Sequence, residues 1–209
     1  MRIAIPLFDR FTALDAVGPY EVLKYLPDAE IVFVAEEPGP VRDVPKWLAI
    51  SADAAFADID SCDVLLVPGG PGSRGLVKDD KLLGWIRRMH EGSTWTTSVC
   101  TGSLLLAAAG LLKGLPATTH WAASDVLESF GAIYTPERVV VQEKIVTAAG
   151  VSSGIDMALT LAAHIADQTT AEAIQLAIEY DPQPPFDAGS PAKAPQAAKD
   201  LLARGIGTR

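Results

Sequence analysis

The chain has 209 residues, of which 49% are hydrophobic and 21% are charged, so it is long enough to build one domain with a sizeable core. It carries 17 Lys and Arg against 26 Asp and Glu, and the net charge of -9 would repel the phosphates that nucleic-acid binders attract with clustered cations. We therefore predict a single domain over residues 1–209 whose partner is a small molecule and not a nucleic acid.

The first predicted element is a strand at Ile3–Leu7. Its apolar stretch is too short for a signal peptide, and the longest apolar run, Leu104–Leu112, is far shorter than the roughly 20 residues of a bilayer span. The two cysteines, Cys62 and Cys100, are predicted to be reduced, because a core of this size needs no disulfide. We expect a cytoplasmic protein without membrane contact.

Short β-like runs alternate with helical patterns along the rest of the chain. Further strands are predicted at Ile31–Ala35, Val64–Val67 and Trp95–Ser98, with a hairpin at Val139–Glu143 and Ile145–Ala148. Helices are predicted near Ala13–Tyr25, near Lys81–Glu91, from Thr101 onwards, near Gly154–Ala166 and near Thr170–Tyr180. This order indicates an α/β fold with a mostly parallel central sheet and helices on both faces.

The C-terminal segment, residues 181–209, is predicted to form a proline-rich arm that ends in a helix near Ala192–Ala203. Proline lacks a backbone donor and restricts the residue before it, so the segment Asp181–Pro191 must be extended. The domain is therefore predicted to close before this arm.

Cys100 lies where a β-like run ends and an entirely apolar helical run begins. Small residues two positions either side, Ser98 and Gly102, permit the sharp strand-to-helix turn that presents a nucleophile above the carboxyl edge of a sheet. Unpaired amides and the dipole at the helix start favour a thiolate, so we expect Cys100 to be partly ionised at neutral pH. By position alone, a buried apolar cysteine is an equally good interpretation.

A buried strand runs into a glycine loop at Gly69–Gly75, and Gly70 to Gly75 matches the dinucleotide pattern G-x-G-x-x-G. That pattern should open a helix and be followed by an acid at the end of the next strand, and neither condition is met well, so we predict no dinucleotide site here. Instead, the Gly70 and Thr101 N–H groups are predicted to hold a developing negative charge together. A simple tight turn is the alternative.

Asp15 follows the first strand, at the strand end where ligands of parallel sheets bind. The residues alone favour another role, because Thr12 to Asp15 matches a capping box that would make Asp15 a helix-start residue.

Three histidines are candidates for a partner of the thiol. A hydrolase triad of Cys100, Asp156 and His164 is not expected. Asp156 and His164 lie eight residues apart on one predicted helix, about 12 Å by rise, so they cannot pair directly. His90 suits the negative end of its helix, which leaves His120 as a possible neighbour of the thiol. Cys62 has no second ligand at metal-binding spacing, so no metal site is predicted.

These segments together resemble the ThiJ/PfpI superfamily, also called the parkinsonism-associated deglycase superfamily, and within it the isonitrile hydratase branch. The motifs that carry the resemblance are Leu14–Val22, Val67–Gly70, Val99–Gly102, Ala117–Trp121, Gly154–Met157 and Glu179–Phe186.

The resemblance implies a class I glutamine amidotransferase-like domain with a flavodoxin-like sandwich, usually a homodimer. It also implies a cofactor-free cysteine at the elbow with an acid hydrogen-bonded to it, a position that Asp15 matches. Protease-like members carry His directly after the cysteine, whereas this chain has Thr101 there, which argues against peptidase activity.

The activity implied by the branch is the hydration of an isonitrile to an N-substituted formamide through a Cys100 thioimidate. Asp15 would supply the proton, and the Thr101 and Gly70 amides would position the adduct. Two alternatives stay open: a deglycase-like or glyoxalase-like enzyme acting on methylglyoxal or its adducts, and a non-enzymatic redox sensor based on Cys100 oxidation.

Overall fold

A seven-stranded sheet forms the centre of the computed structural model, which describes residues 1–205. Its strands in spatial order are β10 (Val139–Gln142), β11 (Ile145–Ala148), β7 (Trp95–Val99), β6 (Val64–Val67), β1 (Arg2–Pro6), β2 (Glu30–Ala35) and β5 (Ala54–Ala55). Neighbouring strands are parallel, except that β10 and β11 form an antiparallel hairpin. The predicted mostly parallel sheet is confirmed.

Helices cover both faces of this sheet. They are α1 (Ala13–Leu23), α2 (Ser73–Leu76), α3 (Asp80–Gly92), α4 (Gly102–Ala108), α5 (Ser124–Ser129), α6 (Ser153–Ile165), α7 (Gln168–Ala177) and α8 (Gln196–Ala203). Helix α1 packs against α6, and α6 against α7, while α4 contacts α3, β6 and β7. The arrangement is the flavodoxin-like sandwich that the family resemblance implies.

The core follows from burial of the sheet on both sides. All four residues of β6 are fully buried, which explains their unbroken apolar run, since a parallel strand has no solvent face. Helix α3 is amphipathic instead, and its N-terminus is capped by Asp79, whose carboxylate accepts the amides of Lys81 and Leu82. Burial of Trp85 from this helix, 1% exposed, contributes roughly 1.5–3 kcal/mol.

The structure adds elements that the sequence patterns did not predict. A second hairpin pairs β3 (Gly39–Arg42) with β4 (Ala49–Ala52), and β8 (Pro116–Ala117) pairs with β9 (Ile133–Tyr134). These strands have at most four residues, too few for a periodic signal. The short helix α2 also lies in the glycine loop, where we expected no helix.

The predicted arm has no strand or helix over residues 181–195, and its helix begins at Gln196, later than predicted. Pro195 restricts Ala194 to a non-helical backbone, which accounts for the delay. The last four residues of the predicted arm, 206–209, lie outside the described residues. No helix within residues 1–205 combines the length and apolarity needed to cross a membrane.

The sheet order places the carboxyl ends of the parallel strands β7, β6 and β1 next to one another. Strand β2 lies on one side of β1, whereas β6 and then β7 lie on its other side. The direction in which successive strands are added to the sheet therefore reverses next to β1. In open α/β sheets, ligands bind outside the carboxyl ends of the strands at such a point.

Candidate active site

Cys100 occupies a strained turn between β7 and α4. Its φ angle is 56°, a left-handed conformation that costs a residue other than glycine on the order of 1–3 kcal/mol. Its amide donates to Ala148 O at 3.1 Å and Ala149 O at 2.9 Å, which ties the turn to the end of β11. The residue is only 5% exposed, so the turn holds the thiol in a nearly closed site.

The Cys100 sulfur is surrounded by one carboxyl group and two amides. The Cys100 S–H donates to the Asp15 carboxyl group, and the N–H groups of Thr101 and Val151 donate to the sulfur. The predicted Thr101 amide therefore lies at the sulfur. Val151, at φ 22° between β11 and α6, was missed because nothing local in the sequence shows that β11 pairs with β7.

Asp15 is fully buried at the start of α1. Its Oδ2 accepts the Gly69 N–H at 3.0 Å, and its Oδ1 is a buried atom without a nitrogen or oxygen partner among the described residues. The Thr12 amide donates to Gly69 O at 2.9 Å, and the Thr12 side chain forms no cap. The capping-box interpretation of Asp15 is therefore wrong, because the carboxyl group turns to the glycine loop and the thiol.

Burial dominates the ionisation of this pair. It raises the pKa of Asp15 to about 7, although the hydrogen bonds from Gly69 and Cys100 oppose the rise. Burial and the nearby Asp15 charge raise the pKa of Cys100 to about 12, against the hydrogen bonds from the Val151 and Thr101 amides. We expected the Cys100 thiol to be partly ionised at neutral pH. While Asp15 is ionised that expectation is wrong, because the pKa of the thiol is then about 12. Between these values the pair holds one proton, and a thiolate forms when that proton lies on Asp15.

Gly70 does not have the orientation that we expected. Its N–H donates to Thr101 Oγ1 at 2.8 Å, so it is engaged away from the sulfur, and Ser73 Oγ also donates to Thr101 Oγ1 at 2.9 Å. A Cβ atom at Gly70 would lie 2.6 Å from Arg10 O, and the φ of 133° suits only glycine. The loop therefore packs against the turn that precedes α1 and Asp15, and the Thr101 hydroxyl links the loop to the elbow.

His120 lies beside the site without being placed as the base of the thiol. Its Nδ1 accepts the Ala122 amide at 3.2 Å, and its ring lies against Gly150, where an added Cβ would be 3.0 Å from Cδ2. Burial and the positive charge of Arg74 lower the pKa of His120, which favours the neutral ring. The preceding Thr119 hydroxyl donates to Cys100 O at 3.1 Å, a contact that holds this segment against the elbow.

The remaining candidate groups have other partners. Asp156 accepts Arg138 Nε at 2.8 Å and the Tyr180 hydroxyl at 3.1 Å, whereas His164 packs on the Trp95 ring. These contacts agree with the rejection of a triad. Over residues 1–205, no three His, Cys, Asp or Glu side chains are grouped so that they could hold a metal ion.

The fold and this site together define a class: flavodoxin-like α/β proteins with a cysteine at a strand-to-helix elbow and a buried acid beside it. The chain belongs to the DJ-1/PfpI family, whose model matches residues 1–164.

Individual relatives refine this placement. The chain is 44% identical to the isonitrile hydratase of Pseudomonas putida over 200 residues, which cover 96% of this chain and 87% of that protein. A crystal structure of a ThiJ/PfpI family protein from Pseudomonas syringae matches with a TM-score of 0.93 and 40% identity, covering 97% of this chain and 84% of that one. A deglycase from Pyrococcus abyssi is 27% identical over 68% of this chain and 85% of its own length.

Proposed function

We propose that this protein is an isonitrile hydratase-like enzyme that adds water to an isonitrile to give an N-substituted formamide. The observation that carries the proposal is the buried Asp15–Cys100 pair, whose raised pKa values leave one shared proton next to a nucleophilic sulfur. The 44% identity to an isonitrile hydratase over nearly the whole chain supports the same conclusion. The reaction needs a nucleophile, a proton donor and water, and no electron transfer.

The first step joins the sulfur to the isonitrile. With the shared proton on Asp15, the Cys100 thiolate attacks the terminal carbon, and Asp15 delivers its proton to that carbon. The product is a thioimidate, in which the carbon bears one hydrogen and a single bond to sulfur. Asp15 is then a carboxylate, ready to accept a proton.

The second step consumes water. Asp15 takes a proton from a water molecule while the water oxygen attacks the thioimidate carbon. Asp15 then passes that proton to the thioimidate nitrogen. The tetrahedral species then collapses to the formamide, and the sulfur leaves as the Cys100 thiolate. The hydroxyl proton of the tetrahedral species returns to Asp15, which restores the starting state. The amides of Thr101 and Val151 would stabilise that thiolate, because both donate to the sulfur.

The narrowness of the site favours an isonitrile over larger substrates. Cys100 is 5% exposed, and the reactive carbon of an isonitrile stands at the tip of a linear group that needs only a thin path to the sulfur. Glyoxal adducts carry their reactive carbon within a branched molecule. The 27% identity to a deglycase is the main support for that alternative, which we rank second.

The test is to incubate the protein separately with a series of aryl and alkyl isonitriles and with methylglyoxal, and to measure formamide and lactate. We expect formamide from at least one isonitrile, and a loss on the order of 10³-fold or more in kcat/KM for Cys100→Ser. Cys62→Ser is the matched control, since Cys62 is equally buried but lies in the core, and it should retain turnover.

Other outcomes are equally informative. Methylglyoxal turnover without formamide from any isonitrile would transfer the proposal to the deglycase-like alternative. Absence of turnover on both, together with peroxide oxidation of Cys100 seen by mass spectrometry, would favour the redox sensor.

A further inference from the structure

A large cavity lies at the ends of β1 and β2, apart from the candidate active site. Its volume of about 980 Å³ is within the range of small-molecule sites. The walls come from the segment after β1, the end of β2, the turn at residues 56–58, the glycine loop with α2, and the first turns of α3. Neither Cys100 nor Asp15 lines this cavity, so the proposed reaction does not account for it.

The glycine loop lies between the cavity and the active site. At one end of the loop, the Gly69 N–H donates to Asp15 at 3.0 Å. At the other end Gly72 lines the cavity, and a Cβ atom there would lie only 2.1 Å from Asp9 O. The two backbone segments therefore pack without a gap, and a ligand in the cavity could not pass between them to the thiol.

The interior of the cavity is apolar and partly aromatic. Phe56 and Trp85 lie with their ring centroids 4.8 Å apart, and Phe8 and Leu76 contribute further apolar surface. The Trp85 indole N–H already donates to Ile59 O, so it needs no partner from a ligand. Aromatic walls of this kind favour a flat apolar body, because rings pack on rings in offset or tilted geometry.

Two arginines in the wall have no acidic partner. Arg10 follows β1, and Arg88 lies on α3 three residues after Trp85, on the same face of the helix. Neither guanidinium group forms an ion pair or a hydrogen bond with any part of the chain that the structure describes. Guanidinium groups bind carboxylates through two parallel hydrogen bonds, so both arginines are available to an anionic ligand.

The carboxylates of the wall are mostly engaged. Asp79 caps α3 by accepting two of its amides. Glu36 pairs with Lys81 at 3.9 Å, and Asp9 pairs at 3.5 Å with a lysine outside the cavity. Within residues 1–205, Glu37 is the remaining wall carboxylate without such a partner. The free charge on the wall is therefore two cations against one anion.

We propose that this cavity is a second ligand site, which binds a small aromatic carboxylate. The ring of the ligand packs against the aromatic wall, and Arg10 and Arg88 hold its carboxylate. An anion meets both free cations, whereas a cationic ligand would meet Glu37 alone. This inference goes beyond the hydratase proposal and does not depend on it, because the site contains none of the groups assigned to that reaction.

The first experiment uses anilinonaphthalene sulfonate, an aromatic anion whose fluorescence increases in apolar surroundings, and the neutral phenylnaphthylamine, which has the same rings without the sulfonate. Both should bind the wild-type protein. Naphthoate should displace the sulfonate, and naphthylmethylammonium at the same concentration should displace it far less. Cys100→Ser should bind the sulfonate as the wild type does, because the sulfur does not line the cavity.

The second experiment removes the cations one at a time. Arg10→Gln and Arg88→Gln should each raise the dissociation constant of the sulfonate roughly tenfold and leave that of the neutral compound within about twofold. Arg87→Gln is the matched control, since it removes one charge from the same helix. Arg87 does not line the cavity, and its Nη1 donates to Ala109 O at 3.5 Å, so this variant should bind both compounds as the wild type does.

The third experiment fills the cavity. Gly75 lines it, and nothing lies within 4 Å of a Cβ atom built there, so a large side chain can enter without a clash. Gly75→Trp should weaken the binding of both compounds by roughly tenfold or more. Gly92→Trp adds the same side chain at another open position, at the end of α3 and outside the cavity, and should have no effect. Melting temperatures show that each variant is folded.

Several results would overturn the proposal. They are absence of sulfonate binding to the wild type, equal losses in the Arg87 and Arg88 variants, full binding by Gly75→Trp, and stronger displacement by naphthylmethylammonium than by naphthoate. Loss of sulfonate binding in Cys100→Ser would place the compound in the active site and would also overturn it. None of these measurements uses an isonitrile, so their failure is separate from failure of the hydratase assay.

Discussion

Asp15 and Cys100 change each other's proton affinity because they share one buried space. A carboxyl group that is 0% exposed loses the solvation that favours its charge, while the neighbouring thiol loses the same support. The result is an acid that is partly protonated near neutral pH beside a sulfur that ionises only by transfer to that acid. Proton delivery and nucleophilic attack can then come from one pair.

This pair predicts the pH dependence of the proposed reaction. Below about pH 7 the pair holds two protons and neither group can act as a base, because burial raises the pKa of Asp15 to about 7. Raising the pH through this value removes one proton, so kcat/KM for an isonitrile should rise and then reach a plateau, as a pH–rate profile will show.

Asp15→Asn should remove the rise near pH 7 and lower the plateau by roughly 10²–10⁴-fold, since the variant has no carboxyl proton to deliver. Asp156→Asn is the control, because Asp156 pairs with Arg138 and Tyr180, and it should keep the rise. A wild-type profile that is flat across this range would contradict the shared-proton mechanism.

At the scale of elements, the site depends on how closely α4 approaches the end of β6. A Cβ atom at Gly102 would lie 2.1 Å from Val67 O, so the first residue of α4 has no room for a side chain. The sequence predicts a small residue there because the elbow is sharp. The structure adds a second reason, since a neighbouring strand occupies the space.

Gly102→Ala should therefore destabilise the protein by about 3 kcal/mol, at the upper end of the cost of overpacking, because a backbone oxygen cannot move as a side chain can. Its melting temperature should fall by roughly 6–12 °C. Gly75→Ala in α2 is the matched control: nothing lies within 4 Å of its Cβ position, so its melting temperature should not fall. Equal effects of the two substitutions would contradict the steric explanation.

For the whole molecule, the buried acid has a cost in stability. The folded state raises the pKa of Asp15 from 3.8 to about 7, so the acid is protonated in both states below pH 3.8 and costs nothing there. As the pH rises, the unfolded state loses this proton first, and folding stability decreases until the folded pKa is passed. Above pH 7 the loss is on the order of 4 kcal/mol.

Asp15→Asn should recover much of that loss, because its amide oxygen can still accept the Gly69 N–H and carries no charge. We expect its melting temperature to exceed the wild-type value by up to roughly 10 °C at pH 8 and by less than half as much at pH 5. Calorimetry at both pH values measures the difference. A variant that is less stable than the wild type at pH 8 would show that the Asp15 charge stabilises the fold.

Local patterns in the sequence determined the principal strands and helices, the elbow at Cys100 and the position of Asp15 at a strand end. Each of these depends on neighbours within a few residues, through side-chain periodicity, small residues at a turn, or the restrictions of proline. The family resemblance then connected Cys100 with Asp15, although the capping-box pattern favoured another role for the acid.

Only the tertiary structure decided which groups surround the sulfur and how they ionise. The order of β11, β7, β6 and β1 brings Val151, Cys100, Gly69 and Asp15 together from distant parts of the chain. The same packing turned the Gly70 amide towards Thr101 and raised both pKa values by removing solvent. Sheet order, amide direction and burial arise from contacts between distant segments, so no local pattern could show them.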